Sequence, residues 1–244
     1  MSMPVGAAES KPMVLELTRI QMRNTQDSMV QRTTEYIGKG YFPALQRAGV
    51  KPAGAFTSLI APDSPFLLLL TQHASLSAWE SSAGKLAADK QFQKVREAYF
   101  AGPLAYSRME TTLLRGFPGM PGIEVPDALS GGRTRVYELR TYESNNPETL
   151  ARKIRMFDEG ETAIFRKVGM APVFFGETIA GQNMPNLTYM VGFDDLAARE
   201  KIWSAFGSSP EWQKLRSKPG LSDPEIVSNI SNIVVRPLPF SGIR

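Results

Sequence analysis

RVYELRTY at residues 135–142 and MVLELTRI at residues 13–20 decide the fold. Val14, Glu16 and Leu17 stand over Val136, Glu138 and Leu139 at one constant spacing. Working outward, QRAGVKP (46–52) aligns with RKVGMAP (166–172) and PFLLLLTQHASLSAWE (65–80) with PNLTYMVGFDDLAARE (185–200). DKQFQKV (89–95) aligns with SPEWQKL (209–215), and LLRGFP (113–118) with VVRPLP (234–239). Matches that keep one order over the whole chain mean that a single structural unit is written twice.

The second copy spells out that unit. Val136, Glu138, Arg140 and Tyr142 alternate with Tyr137, Leu139 and Thr141, as in a β-strand. Asn146 and Pro147 read as an N-cap and a first helical residue. Leu150, Ile154, Phe157, Ile164, Phe165 and Val168 follow at helical spacing, and Gly169 ends the helix. Strands are expected at 173–178 and 187–193. A helix opened by Asp194 or Asp195 follows and is restarted by Ser209-Pro210-Glu211, and a last strand covers 229–237. The first copy repeats this order, with its helix expected to break at Gly38, Gly40 and Pro43. The order is βαββαβ, a ferredoxin-like split βαβ unit with two helices on one face of an antiparallel sheet. The bare face of each sheet needs cover, and the other copy supplies it. The fold class expected is therefore α+β, two fused ferredoxin-like repeats packed as a pseudo-dimer around a barrel-like interior. The chain divides into a tail (1–12), a first repeat (13–118), a Gly- and Pro-rich linker (119–134) and a second repeat (135–244). In this reading Tyr137, Leu139 and Thr141 lie under the helices, while Glu138, Arg140 and Tyr142 point between the sheets.

Composition narrows the chemistry. The chain has 244 residues, a net charge of +4 and no Lys/Arg block, so neither nucleic acid nor an anionic membrane surface is expected as a partner. It has no Cys and one His, which excludes thiolate nucleophiles and a multi-His metal site within the chain. The longest apolar run, FLLLL at 66–70, has strand length and not the length of a membrane span. The start, MSMPVGAAESKP, lacks the n- and h-regions of a secretion signal. The expected location is soluble: cytoplasmic if that start is native, periplasmic if an export signal was trimmed.

VYELRTY opening a unit, a Gly-x-x-Pro helix exit, SPEW before the last helical turn and the closing VVRPLPFS resemble the NIPSNAP domain of the dimeric α/β barrel superfamily. The resemblance is close across 135–241 and weaker but continuous across 13–118. It implies the tandem fold. Relatives in eukaryotes are mitochondrial proteins linked to vesicle traffic and quality control. The wider superfamily includes cofactor-free monooxygenases, haem proteins, lyases and isomerases, with ligands between sheet and helices or in the barrel. MVLELTRI lacks the Arg-Thr-Tyr ending, so a site built on those residues is expected in the second repeat.

Glu138, Arg140 and Tyr142 on one face suit an acid/base, an anion clamp and a hydroxyl donor. They equally suit a structural ion pair plugging the barrel, with Glu16 as the first-repeat counterpart of the carboxylate. His73 ends a strand where the second repeat has Phe193. It is a general base, an axial haem ligand, or a strand-end His with no task. Arg115 and Arg236 stand near closing strand ends, to bind anions or to pair with carboxylates. Asp194-Asp195 reads as a helix cap and not as a metal site. Trp79, Trp203 and Trp212 read as packing residues. FGSSP (206–210) and SGG (130–132) lack the ending of a phosphate loop.

The function expected is binding of a small, largely apolar ligand, with chemistry that needs no cofactor. The ligand would sit between sheet and helices of the second repeat, near Arg140 and Tyr142. The alternatives are a protein-interaction scaffold and a haem-binding barrel using His73. A homo-oligomer is expected.

Overall fold

The computed structural model describes residues 11–51 and 53–244, so most of the expected tail, and Pro52, lie outside the described residues. The first repeat runs β1 (Val14–Gln21), α1 (Met29–Tyr36), α2 (Phe42–Ala48), β2 (Ala53–Ile60), β3 (Phe66–His73), α3 (Leu76–Ala88), α4 (Lys90–Phe100) and β4 (Arg108–Gly116). The second runs β5 (Val136–Glu143), α5 (Pro147–Met156), α6 (Thr162–Lys167), β6 (Ala171–Ala180), β7 (Asn186–Phe193), α7 (Leu196–Ser208), α8 (Pro210–Arg216), α9 (Asp223–Ile226) and β8 (Asn229–Pro237).

The strands close one antiparallel barrel in the order β1-β3-β2-β8-β5-β7-β6-β4. Each repeat contributes four adjacent strands. The two joints are equivalent: β2 pairs with β8 through Thr57↔Arg236, and β4 pairs with β6 through Arg115↔Glu177. Each joint carries a register shift, the kind of irregularity that bends a strand where a sheet must curve. The barrel thus closes within one chain, without a second copy.

Helices cover much of the outside of the barrel, so the central strands β3 and β7 are buried on both faces, while β4 and β8 stay partly exposed. FLLLLTQH in β3 is buried at every position except Gln72, and β7 is buried throughout. Such strands read as continuous apolar runs. The interior is packed by Phe56, Phe66, Tyr137, Phe174 and Met190 with Leu15, Leu17 and Leu68. Ile243, next to the C-terminus, is buried in that core, and Ser241 accepts a hydrogen bond from the Ala55 amide at 3.0 Å. Residues of the expected linker also pack. Met120 is buried beside Phe117, and the Glu124 amide donates to the Val173 carbonyl at 2.8 Å.

Local signals behave as the chemistry requires. Asn146 accepts from the Thr149 amide at 2.9 Å, Asp195 from Ala198 at 2.7 Å and Ser209 from Trp212 at 3.1 Å. Gly169 ends α6 at φ 95°, a conformation costly for other residues. The first-repeat helix does not break at its glycines. It passes through a π-helical turn, Ile37–Tyr41, and the second repeat has the same turn at Phe157–Glu161. At Gly40 a Cβ would meet Val95 at 2.7 Å, so glycine there admits α4 and does not interrupt the helix.

The face assignment within β5 is the reverse of the expectation. Tyr137 and Leu139 point into the barrel core, while Glu138, Arg140 and Tyr142 lie under the helices. Alternation separates two faces but does not name them when both are buried.

Candidate functional site

Between the sheet and the helices of the first repeat lies a cavity of about 450 Å³. β1 contributes Glu16, Thr18 and Ile20, β3 contributes Leu69, and the π-turn contributes Ile37 and Tyr41. Tyr36, Phe92, Tyr99, Phe100 and Tyr106 supply aromatic walls, and Arg96, Met109, Ala83 and Leu86 are also among the lining. Tyr36 stacks on Tyr99 with centroids 4.1 Å apart. Tyr99 is held by Thr33 at 2.7 Å and donates to the Ala105 carbonyl at 2.8 Å.

Arg96 is the basic group among the lining residues, and the acidic one is the Glu16 carboxylate. Its Oε2 accepts from Thr71 Oγ1 at 3.2 Å and lies 3.4 Å from His73 Nε2, which is 3.1 Å from Thr71 Oγ1. Its Oε1 has only the Thr18 hydroxyl at 3.5 Å. Burial pushes the Tyr36 phenol up to about 12. Burial, and then the Glu16 charge, push Tyr41 further up. Both phenols are neutral donors at neutral pH, and neither has a hydrogen-bond partner among the described residues.

His73 is buried in this cluster and does not line the cavity. Its Nε2 is turned to Thr71 and Glu16. Among the described residues no group of three His, Asp or Glu side chains is placed to hold a metal ion.

The equivalent space of the second repeat is occupied by protein. Aligning the repeats element by element, Thr18, Ile20, Leu69, Ile37, Ala83 and Leu86 become Arg140, Tyr142, Tyr189, Phe157, Trp203 and Phe206. Every replacement is larger. Glu138, with no solvent exposure, accepts hydrogen bonds from Arg140 (2.8 Å), Arg199 (2.7 and 2.8 Å), Trp203 Nε1 (2.7 Å) and Asn232 (2.9 Å). Burial alone would raise its pKa. Hydrogen bonds from Arg199, the Arg140 charge and the Trp203 and Asn232 donors hold it below the usual carboxylate range instead. The Arg140 guanidinium stacks 4.6 Å from the Trp203 ring. Below it, Tyr142 and Tyr189 share a hydrogen bond of 2.8 Å. Lys153 and Glu161 form a buried pair at 2.9 Å, walled by the Tyr142, Phe157 and Trp212 rings. Burial pushes the Glu161 carboxyl up despite its partner.

Of the residues singled out from sequence, the structure joins Glu138, Arg140 and Tyr142 in the filled space and Glu16 with His73 at the cavity. The two groups belong to separate repeats. The expected ligand position near Arg140 and Tyr142 is filled by Trp203, Tyr189 and Phe157, and the cavity is in the first repeat. Sequence reasoning missed Arg199, Lys153, Glu161 and the tyrosines of the cavity wall. The size differences between aligned positions, Ala83 against Trp203 above all, were the available signal. Arg115 faces Glu177 at 3.5 Å, the pairing expected for a strand-end arginine.

Residues 137–242 match the NIPSNAP family model. The second repeat is thus similar to a NIPSNAP domain. No curated protein matches the chain. Among solved structures, a candidate monooxygenase from Fusobacterium nucleatum subsp. nucleatum has a TM-score of 0.60 at 9% identity, covering 93% of each chain. A candidate monooxygenase from Lactobacillus acidophilus has a TM-score of 0.57 at 8% identity, over 92% of this chain and 93% of that one. An anthrone oxidase-like protein has a TM-score of 0.54 at 12% identity, over 95% and 94%. At these identities the likeness is one of fold, the dimeric α/β barrel. The repeat that matches the family model supplies half of the barrel and the first repeat completes it, and the cavity lies in the half that the family model does not cover. Among the described residues no helix is long and apolar enough to cross a membrane.

Proposed function

We propose that the protein binds a small aromatic molecule in the first-repeat cavity, with an acidic hydrogen at Glu16. The observation that carries this reading is the contrast at one aligned position: a carboxylate facing an aromatic-walled cavity in one repeat and sealed in the other. The cavity's volume of about 450 Å³ is in the range of small-ligand sites, and its lining combines aromatic and aliphatic side chains with Glu16, Arg96 and threonines. A carboxylate set in apolar walls favours a ligand that brings a donor, because an unmatched polar group there loses its hydration without compensation. The monooxygenase and anthrone oxidase-like names among the structural neighbours agree with chemistry on small molecules. The site needs no cofactor in this reading, and assembly of several chains would use the outer helices and not the barrel.

The test is Ala83→Trp, which installs the indole that the second repeat carries at position 203. Binding of 2-naphthol, followed by calorimetry, is expected in the parent and should fall at least tenfold in the variant. Equal binding by both proteins would move the ligand out of this cavity. Native mass spectrometry of protein from its own host would identify a retained ligand directly.

A further inference from the structure

We infer that Glu16 is a general base that takes a proton from carbon next to a ligand carbonyl, making the cavity a site of enolisation. This rests on the binding reading above and adds a reaction to it. Three observations support it. First, Glu16 lines the cavity and its Oε1 has a single long contact, so one carboxylate oxygen is available to a ligand. Second, the other oxygen is fixed from behind by Thr71 at 3.2 Å and His73 at 3.4 Å, which sets the carboxylate's orientation without enclosing it. Third, Tyr36 and Tyr41 line the same cavity, and their neutral hydroxyls lack partners among the described residues. A base needs reach to its proton, and a developing enolate oxygen needs a donor. This cavity holds both within an apolar enclosure.

Glu138 shows what the same residue looks like without that task. Both its oxygens are saturated by Arg140, Arg199, Trp203 and Asn232, and no surface of it is exposed. It has no oxygen left to offer.

The step balances within the site. The C–H bond α to the carbonyl breaks, its proton passes to Glu16 Oε1, and its electron pair forms the C=C bond of the enolate. The carbonyl oxygen takes the negative charge and accepts a hydrogen bond from Tyr36 or Tyr41. Return of the proton to the same carbon gives exchange, and return to a conjugated carbon gives an isomer. No oxidant, reductant or metal enters. The ligand class is thus an aromatic ketone with an acidic α-hydrogen. His73 is a positioning residue, since it reaches the ligand only through Glu16.

The probe is 2-tetralone in D2O, with loss of the C1 protons followed by NMR and binding followed by calorimetry on the same samples. The full chain should bind 2-tetralone and exchange C1 at least tenfold faster than acetate at the same carboxylate concentration. Glu16→Gln, nearly identical in shape, should lose the acceleration at 2-tetralone concentrations that calorimetry shows to saturate the variant. Glu16→Asp should retain a fraction of it. Ala83→Trp should lose both binding and exchange. Binding without accelerated exchange, or exchange unchanged in Glu16→Gln, overturns the base while leaving the binding reading intact. Exchange that persists in Ala83→Trp places the reaction elsewhere and overturns the inference. Absence of 2-tetralone binding by a parent chain that binds 2-naphthol overturns the base alone, and absence of binding of both probes overturns both readings. Thermal melts of each variant confirm that the folded protein is being compared.

Discussion

Glu16 and Glu138 occupy the same point of the same strand in two copies of one unit, and their surroundings differ. Around Glu138 the second repeat places two arginines, an indole and an asparagine, and stacks Tyr142, Tyr189, Phe157 and Trp212 beneath them. Around Glu16 the first repeat places Thr18, Leu69 and Ala83, and a cavity remains. The difference teaches how a duplicated fold can divide its work. The second repeat is a closed structural half whose charges are satisfied from within. The first gives up that packing and keeps a recess. Buried ion pairs of the Lys153–Glu161 kind are weak sources of stability, but their disruption is severe, because it leaves one charge uncompensated.

The largest effect should come from disrupting that pair. Lys153→Met is expected to lower unfolding stability by about 3–5 kcal/mol in urea titrations. The double variant Lys153→Met/Glu161→Leu should recover most of the loss, and a double variant as unstable as the single would show that the pair is not coupled. Trp203→Ala comes next, at about 3–4 kcal/mol, the usual range for an aromatic removed from a core. It should also open a second recess at Glu138, seen as a second binding event for 2-naphthol. Glu138→Gln should lose about 2–3 kcal/mol, since its arginines lose a charged partner, whereas Glu16→Gln should stay within about 1 kcal/mol. Equal losses at the two glutamates would erase the contrast between the repeats.

The smallest effect is in pH dependence. The folded pKa of Glu138 is depressed, so its contribution is complete above the ordinary glutamate value of about 4.3 and is lost as pH falls through the lower folded value. The stability gap between the parent and Glu138→Gln should therefore narrow below about pH 4. A gap constant from pH 7 to pH 3 would mean that the carboxylate is not the ionised partner of Arg140 and Arg199.

Much of the fold was legible because its signals are local. Asn146, Asp195 and Ser209 cap the helices that their side chains predict, and the repeat gave the strand order within each half. The site was legible only in part. Glu138 and Arg140 were recognised as a pair, but the partners that enclose them come from α7 and β8, Arg199, Trp203 and Asn232, far along the chain. His73 looked isolated in sequence and is joined to Glu16 only by the pairing of β1 with β3, where Val14 faces His73 and Glu16 faces Thr71. The motif YELRTY drew attention to the second repeat, although the open space lies behind the weaker copy.

By itself the sequence determined that two βαββαβ units exist, the order of their elements, and which positions correspond. These follow from hydrophobic period, capping residues and self-similarity, all of which act over a few neighbouring residues. The tertiary structure decided which face of each strand meets the helices and which repeat keeps a cavity. Strands buried on both sides give no polarity signal to distinguish inside from outside. A cavity is set by the summed volumes of side chains from four or five separate elements, and only their packing shows that Ala83 and Leu69 leave the space that Trp203 and Tyr189 fill.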